Sequence, residues 1–420
     1  MPLSPKDTAR DTARAVWRRI PPGLRRSLLF GTTRIAAPAA RMPGPAPAEP
    51  IVIVGPVSSA TGLGEGARLA IRALRDQGLD VRGFDVSQVM LGGDPAEPVD
   101  AGLPVQPGPG TVILHVNAPL APLALLMLGR AALRGKRIIG YFAWELPDLP
   151  DDWVAALDHV HEIWAPSCFT ADAFRRHTDR PVHVVPHPVP VSDPGSEPGG
   201  EAVTPRPTQR PFTVLTPFNM ASGFTRKNPV AAVRAFKLAF DRGGDDDARL
   251  ILKTHHVSAY ADGCRELAAA IDGDPRITVL DRTMDRAELD ELVSSSDAVM
   301  LLHRSEGFGL PLAEAMGRGV PVVATNWSGN TDFMDFGNSC PVSYCLVPAR
   351  DPQGSYDHAD QLWAEPSAEN AAVHLRRLRD DPALRIELGH AASRTIRERC
   401  SPKVFAERSG ELLMADAVLC

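Results

Sequence analysis

Long apolar runs are missing from this 420-residue chain. The longest, Ala118 to Leu128, falls well short of the roughly 18 residues that a bilayer-spanning helix needs. Cysteine is sparse and scattered: six residues, at 168, 264, 340, 345, 400 and 420, with no Cys-x2-Cys pair and no Cys/His cluster. That argues against a zinc site and fits a reducing compartment. The N-terminus lacks a continuous apolar core and a small-residue cleavage site, so no signal peptide is expected and the location reads as cytoplasmic. Outside the first 45 residues acidic side chains outnumber basic ones. The first 45 carry nine Lys and Arg against two Asp, so the formal net charge of −6 leaves the remainder near −13. A body this acidic argues against nucleic acid as a partner. No Asp-x-Asp pair falls at a strand end. Asp245-Asp-Asp247 reads as a solvated run in a surface turn, so no metal is expected.

The rest of the composition is that of an ordinary globular chain, 44% hydrophobic and 23% charged, long enough for two domains. Residues 5–20 place Ala9, Ala13, Val16, Trp17 and Ile20 on one helical stripe, flanked by Arg10, Arg14, Arg18 and Arg19, with Arg25 and Arg26 following. A basic amphipathic segment over 5–26 suits an anionic membrane surface; it equally suits a helix docked on the protein. The Pro/Gly-rich run 42–50 reads as a linker.

From Ile51 onward short apolar strands alternate with helices. Strands are expected at Ile51–Val54, Val81–Val86, Val112–Val116, Arg137–Phe142, His161–Ala165 and Val182–Val185, with helices over Gly64–Gln77 and Leu120–Leu133. After a Pro/Gly-rich stretch the alternation resumes, with strands at Thr213–Thr216, Arg249–Lys253, Ile277–Leu280, Ala298–Leu302 and Val320–Ala324, and helices over about 229–241, 259–272, 286–295 and 311–318. Such alternation predicts an α/β chain of two doubly wound, Rossmann-like domains whose ligand lies in the cleft at the carboxyl ends of the strands. The boundaries drawn are an N-terminal segment and linker over 1–48, a first domain over 49–190, a linker over 191–211, a second domain over 212–385, and C-terminal helices over 386–420, one of which packs back across the cleft.

One stretch carries the most chemistry: Glu306-Gly-Phe-Gly-Leu-Pro-Leu-Ala-Glu314, followed by the strand Val320–Ala324. The first carboxylate sits in a Gly-rich loop, the second in the helix after it. Gly307 and Gly309 permit close backbone approach to a ligand. A helix N-terminus favours phosphate, and two flanking acids suit hydroxyls, which together suggest a sugar nucleotide.

This block resembles the retaining glycosyltransferases of the GT-B architecture, specifically the mannosyltransferase-like subgroup of glycosyltransferase family 4. The resemblance extends over about residues 50–415. It includes Thr225-Arg-Lys-Asn-Pro229, Leu250-Ile-Leu-Lys-Thr254, Asp297 through Gly309, Trp327-Ser-Gly-Asn330, Gly140-Tyr-Phe-Ala-Trp-Glu-Leu146, Glu162-Ile-Trp-Ala-Pro-Ser167 and Val185-Pro-His-Pro188. It implies that Glu306 binds hydroxyls of the donor sugar and Glu314 the ribose. Lys227 and Arg226 would neutralise the leaving diphosphate, and the backbone of Phe308, Gly309 and Leu310 would approach the donor. It also implies a metal-independent transfer of mannose or glucose to a glycan or lipid-linked acceptor, with the leaving phosphate itself helping to deprotonate that acceptor. The sequence departs from the family at Phe218-Asn-Met-Ala-Ser222, where many members carry an Arg; Arg226, Lys253 and Arg304 are the cations able to compensate.

Other residues have two readings. The loop Ser59–Gly66, with Gly62 and Gly64, looks like the family's N-terminal glycine loop; the competing reading, a dinucleotide fingerprint with Asp85 as ribose acid, has poor glycine spacing. His115 and Asn117 end the third strand facing the cleft; either one suits the family's donor-facing His, and a structural, hydrogen-bonded His115 is the other reading. Trp144 and Glu145 read as an acceptor-sugar site or as core and rim. His187 shapes a turn. A nucleotide-sugar epimerase and a non-catalytic sugar-nucleotide binder are the alternative functions, since fold alone does not fix chemistry.

Overall fold

The computed structural model describes residues 22–59, 61–90, 105–191, 210–240, 247–255 and 257–414. The basic stripe of residues 5–20, most of the 191–211 linker, and Asp245 and Asp246 lie outside them.

Six strands form the first sheet: β1 (Ile51–Gly55), β2 (Val81–Asp85), β3 (Gly110–Leu114), β4 (Lys136–Tyr141), β5 (Glu162–Ala165) and β6 (Val182–Val184). Their order is β2-β1-β3-β4-β5-β6, all parallel. β1 and β3 are buried along their whole length, as expected of strands covered by helices on both faces. The strand order reverses between β1 and β3, which opens a crevice at their carboxyl ends. Into it projects the start of the helix Gly62–Arg75, where the Thr61 hydroxyl accepts from Gly64 N. A Cβ on Gly64 would lie 2.3 Å from Ser59 O, so only glycine fits this turn.

The second sheet repeats the plan with β7 (Phe212–Pro217), β8 (Ala248–Thr254), β9 (Ile277–Asp281), β10 (Ala298–Leu301), β11 (Val322–Thr325) and β12 (Cys340–Val342), again parallel, in the order β12-β11-β10-β7-β8-β9. Its reversal falls between β7 and β10. The loops that leave these two strands, 218–224 and 302–309, build the candidate site.

Several elements differ from the sequence reading. The helix expected over Leu120–Leu133 spans only Ala121–Leu128, because Gly129 turns the chain at φ +85°. The run 42–50 is no loose tether: Ala48 exchanges hydrogen bonds with the Thr111 hydroxyl at 3.0 and 2.9 Å, and Arg137 donates to Pro45 O at 3.2 Å. The largest difference is an antiparallel hairpin, β13 (Tyr344–Ala349) and β14 (His358–Pro366). Pro348 and Pro366 disguise these strands in the sequence. The hairpin leaves the second domain and packs into the core of the first: Trp363 and Ala349 join Trp144, Leu146 and Trp153 in one buried cluster. The chain also returns at its far end. Val189 N donates to Cys400 O at 2.7 Å, and Phe405, on the helix Pro402–Met414, packs among Ile53, Ala67 and Leu74.

Candidate active site

After β10 the chain runs through Leu302–Gly309 into the helix Leu310–Gly317, whose N-cap Gly309 takes φ +90°. The loop is held on both sides. Within its own domain, Glu306 N donates to Ser328 Oγ at 2.8 Å and Gly329 N donates to Glu306 O at 2.9 Å. From the first domain, the Ser167 and Thr170 hydroxyls donate to Gly307 O at 2.6 and 3.1 Å. Gly329 passes so close that a Cβ would stand 2.2 Å from Gly307 O. Gly329→Ala should therefore displace the Glu306 loop and cost about 1–3 kcal/mol, measured by urea unfolding; unchanged stability would show the loop to be slack.

The cations come from the β7 side. Gly223 at φ +90° and Asn228 at φ +51° bracket a single helical turn, Phe224–Lys227, so Arg226 and Lys227 project from a short, fixed step. Arg226 is 3% exposed. It donates to Ser305 O at 2.8 Å and Ser222 O at 3.1 Å, and it meets Glu306 Oε2 at 3.2 Å and Glu145 Oε1 at 3.6 Å. Lys227 Nζ pairs with Glu306 Oε1. Burial alone would raise the Glu306 carboxyl, but Lys227 and Arg226 outweigh it and hold it down at about 2. Burial raises Glu145, against the pull of Arg226.

A second ion cluster surrounds Glu314. Burial raises its carboxyl, opposed by Arg286, whose Nη1 lies 2.6 Å from Glu314 Oε1. The same Nη1 is 2.9 Å from Glu65 Oε1, on the glycine-loop helix of the first domain. This pairing brings the Gly62–Gly64 turn to the cleft opposite Glu314. Asp85 is taken up by the Ser58 and Ser87 hydroxyls at 2.7 and 2.6 Å, a structural role in place of a ribose acid.

Three sequence candidates are placed elsewhere. The Lys253 ammonium donates to Thr254 O and Arg282 O at 2.9 and 2.6 Å, so it closes the end of β8. Arg304 is drawn to the hairpin, with Nε 2.6 Å from Glu365 Oε2 and its guanidinium over the Trp363 ring. Trp144 is core: 3% exposed, packed on Trp153 at 4.5 Å, its indole N–H donating to Asp148 O. His115 is buried beneath the glycine-loop helix, stacked on Tyr141 at 4.6 Å and facing His187; burial pushes both imidazoles below their ordinary range, His187 to about 4. His187 in turn meets Phe308 edge-on at 5.2 Å. Asn117 opens a short 3-10 turn without capping it. The sequence reading missed Arg286, Tyr356 and the Ser167/Thr170 pair. Only the last had a signal, as Ser167 ends a segment that carried the family resemblance.

Two facing α/β domains with a Glu-x7-Glu block at the second domain's strand-order reversal define the GT-B class. Over 87% of its length the chain superposes on 99% of Anabaena HepE, solved in complex with UDP and glucose, at a TM-score of 0.61 and 14% identity. It superposes equally far on 97% of a glycosyltransferase from Rickettsia africae and on 99% of the lipopolysaccharide outer core galactosyltransferase WaaB, each at 0.58 and 14%. A D-inositol 3-phosphate glycosyltransferase from Pseudarthrobacter chlorophenolicus is 30% identical over 167 residues, which cover 40% of this chain and 35% of that protein, so the match spans about a third of the relative's length. Residues 170–407, more than half of the chain, match the family described as family 4 glycosyltransferases in conflict systems, and the chain belongs to that family.

Proposed function

We propose that the protein is a retaining glycosyltransferase that moves a hexose, mannose or glucose, from a nucleoside diphosphate to a hydroxyl of a glycan or lipid-linked glycan. The observation that carries this reading is the cluster of buried Arg226 and Glu306 with half-buried Lys227, beside the N-terminus of the helix Leu310–Gly317. Negative charge grows on the diphosphate as the glycosidic bond breaks. Two fixed cations in a site largely screened from water stabilise that charge with little reorganisation. They supply the charge that a metal would otherwise bring, so the transfer is metal-independent. On donor binding Lys227 and Arg226 turn to the phosphates, and Glu306 to hydroxyls of the sugar. Glu314 then exchanges Arg286 for the ribose. The leaving phosphate takes the acceptor proton on the same face, which retains the anomeric configuration. Family membership supports this reading over an epimerase or a passive binder, both of which the fold alone would allow.

The test is a screen of nucleotide sugars, scored by nucleoside diphosphate release and by NMR of the product's anomeric carbon. Acceptor-dependent release with retention supports the proposal; an inverted product or acceptor-independent isomerisation rejects it. The described residues include no helix long and apolar enough to cross a membrane. Residues 5–26 would add docking on an anionic membrane surface. Vesicle sedimentation with and without residues 1–45 checks this: equal sedimentation would reject it.

A further inference from the structure

The turn that joins β13 to β14 reaches the reaction cleft. Buried Asp351 fixes it by accepting from Gln353 N at 3.1 Å and Tyr356 N at 3.0 Å. Gln353 then grips the loop after β7: its Oε1 accepts from Phe224 N at 2.5 Å and its Nε2 donates to Met220 O at 3.1 Å. This is the loop that lacks the cation many family members carry. Tyr356 lies over it. A Cβ on Gly223 would come 3.2 Å from the Tyr356 ring, and the Arg226 guanidinium sits 4.9 Å from that ring's centre. The ring also stacks on Trp144 at 5.5 Å, and the hydroxyl interacts with Glu145. Tyr356 and Glu145 are both partly exposed, unlike Arg226 behind them.

Three parts of the chain thus meet: a cation of the second domain, a carboxyl of the first, and a phenol carried by the inserted hairpin. We propose that the Tyr356 hydroxyl and the Glu145 carboxyl bind a hydroxyl of a neutral polyol acceptor, and that the Tyr356 ring positions Arg226 for the donor phosphates. The proposal rests on the donor-site reading above. Its chemistry follows from the groups present. A carboxylate accepts from an acceptor hydroxyl, and the phenol both donates and accepts. Glu145 and Glu306 already flank Arg226, so an anionic acceptor would meet like charge where a neutral sugar or cyclitol would not. Acceptor occupancy and donor charge are then joined through one side chain: the ring faces the diphosphate cation, and the hydroxyl faces the acceptor.

The test uses the full chain, with UDP and GDP as calorimetric probes, UDP-glucose and GDP-mannose as donors, and methyl α-glucopyranoside and myo-inositol as acceptor probes. In the unmodified protein a polyol should accelerate nucleoside diphosphate release in a saturable way. Tyr356→Phe keeps the ring and removes the hydroxyl. It should raise the half-saturating polyol concentration about tenfold and leave the affinity for the nucleoside diphosphate within about twofold. Tyr356→Leu removes the ring as well, and should weaken nucleoside diphosphate binding too. No polyol acceleration, or a half-saturation in Tyr356→Phe equal to that of the unmodified protein, overturns the proposal. Failure of the unmodified protein to bind either UDP or GDP overturns the donor-site reading instead.

Discussion

Glu306→Ala should lower kcat/KM for sugar transfer by about a hundred- to a thousandfold, the range seen when one fixed electrostatic contact to a transition state is removed. The same change should leave the affinity for the nucleoside diphosphate intact or raise it. That sign follows from the geometry. Glu306 neutralises Lys227 and Arg226 before any donor arrives, so the phosphates must compete with it for both cations. Removing the carboxylate frees the cations and deprives the sugar of its hydroxyl partner. The fold suffers as well. Half-buried Lys227 loses its counter-ion and buried Arg226 keeps only Glu145 at 3.6 Å; deleting one member of a fully buried pair costs about 3–5 kcal/mol, which is the upper end of the expected loss. Glu306→Gln separates the two effects, because it keeps the shape of the side chain and removes only its charge. Parallel loss of transfer and of nucleoside diphosphate binding in Glu306→Gln would mean that Glu306 serves the fold alone.

Trp363→Ala carries the second large effect, this one on stability. Trp363 is 2% exposed, and it is the second domain's main apolar insertion into the core of the first. Truncating a buried tryptophan costs about 3–5 kcal/mol through lost transfer energy and the cavity left behind. The damage reaches further here because Arg304 lies over the same ring and also bonds Thr225 O, immediately before the two cations. A fall of this size in urea-unfolding stability, with weaker binding of the nucleoside diphosphate, is the expected result. A loss under about 1 kcal/mol would show that the hairpin rests on the first domain without anchoring there.

What was legible in the sequence follows from local periodicity. β1 and β10 are short, continuous apolar runs, β3 and β7 are apolar runs that also carry threonine, and each appears within two residues of its expected position. The Glu306–Glu314 block was legible for a different reason: its glycines answer a backbone need, shown by Gly309 at φ +90°. The hairpin had no such signature. Its β13 strand carries Pro348, and its buried face is completed only by Trp144 and Trp153, about two hundred residues upstream. The choice among cations was hidden for the same reason. The resemblance favours Arg226 and keeps Lys253 and Arg304 as weaker candidates, and the fold separates the three: Lys253 turns to backbone carbonyls, Arg304 to Glu365, and Arg226 to Glu306. Arg286 carried no signal because its partners, Glu65 and Glu314, come from two different domains.

The proposed transfer requires Arg226 and Lys227 to receive the donor diphosphate. Calorimetric titration of UDP and GDP into the full chain and its Lys227→Met variant tests it most directly, with uridine and guanosine as phosphate-free controls. A charge-assisted contact to phosphate predicts about 10- to 100-fold weaker binding of the better nucleoside diphosphate in the variant, with the nucleosides unaffected. Equal affinity for the diphosphate in both proteins would contradict it.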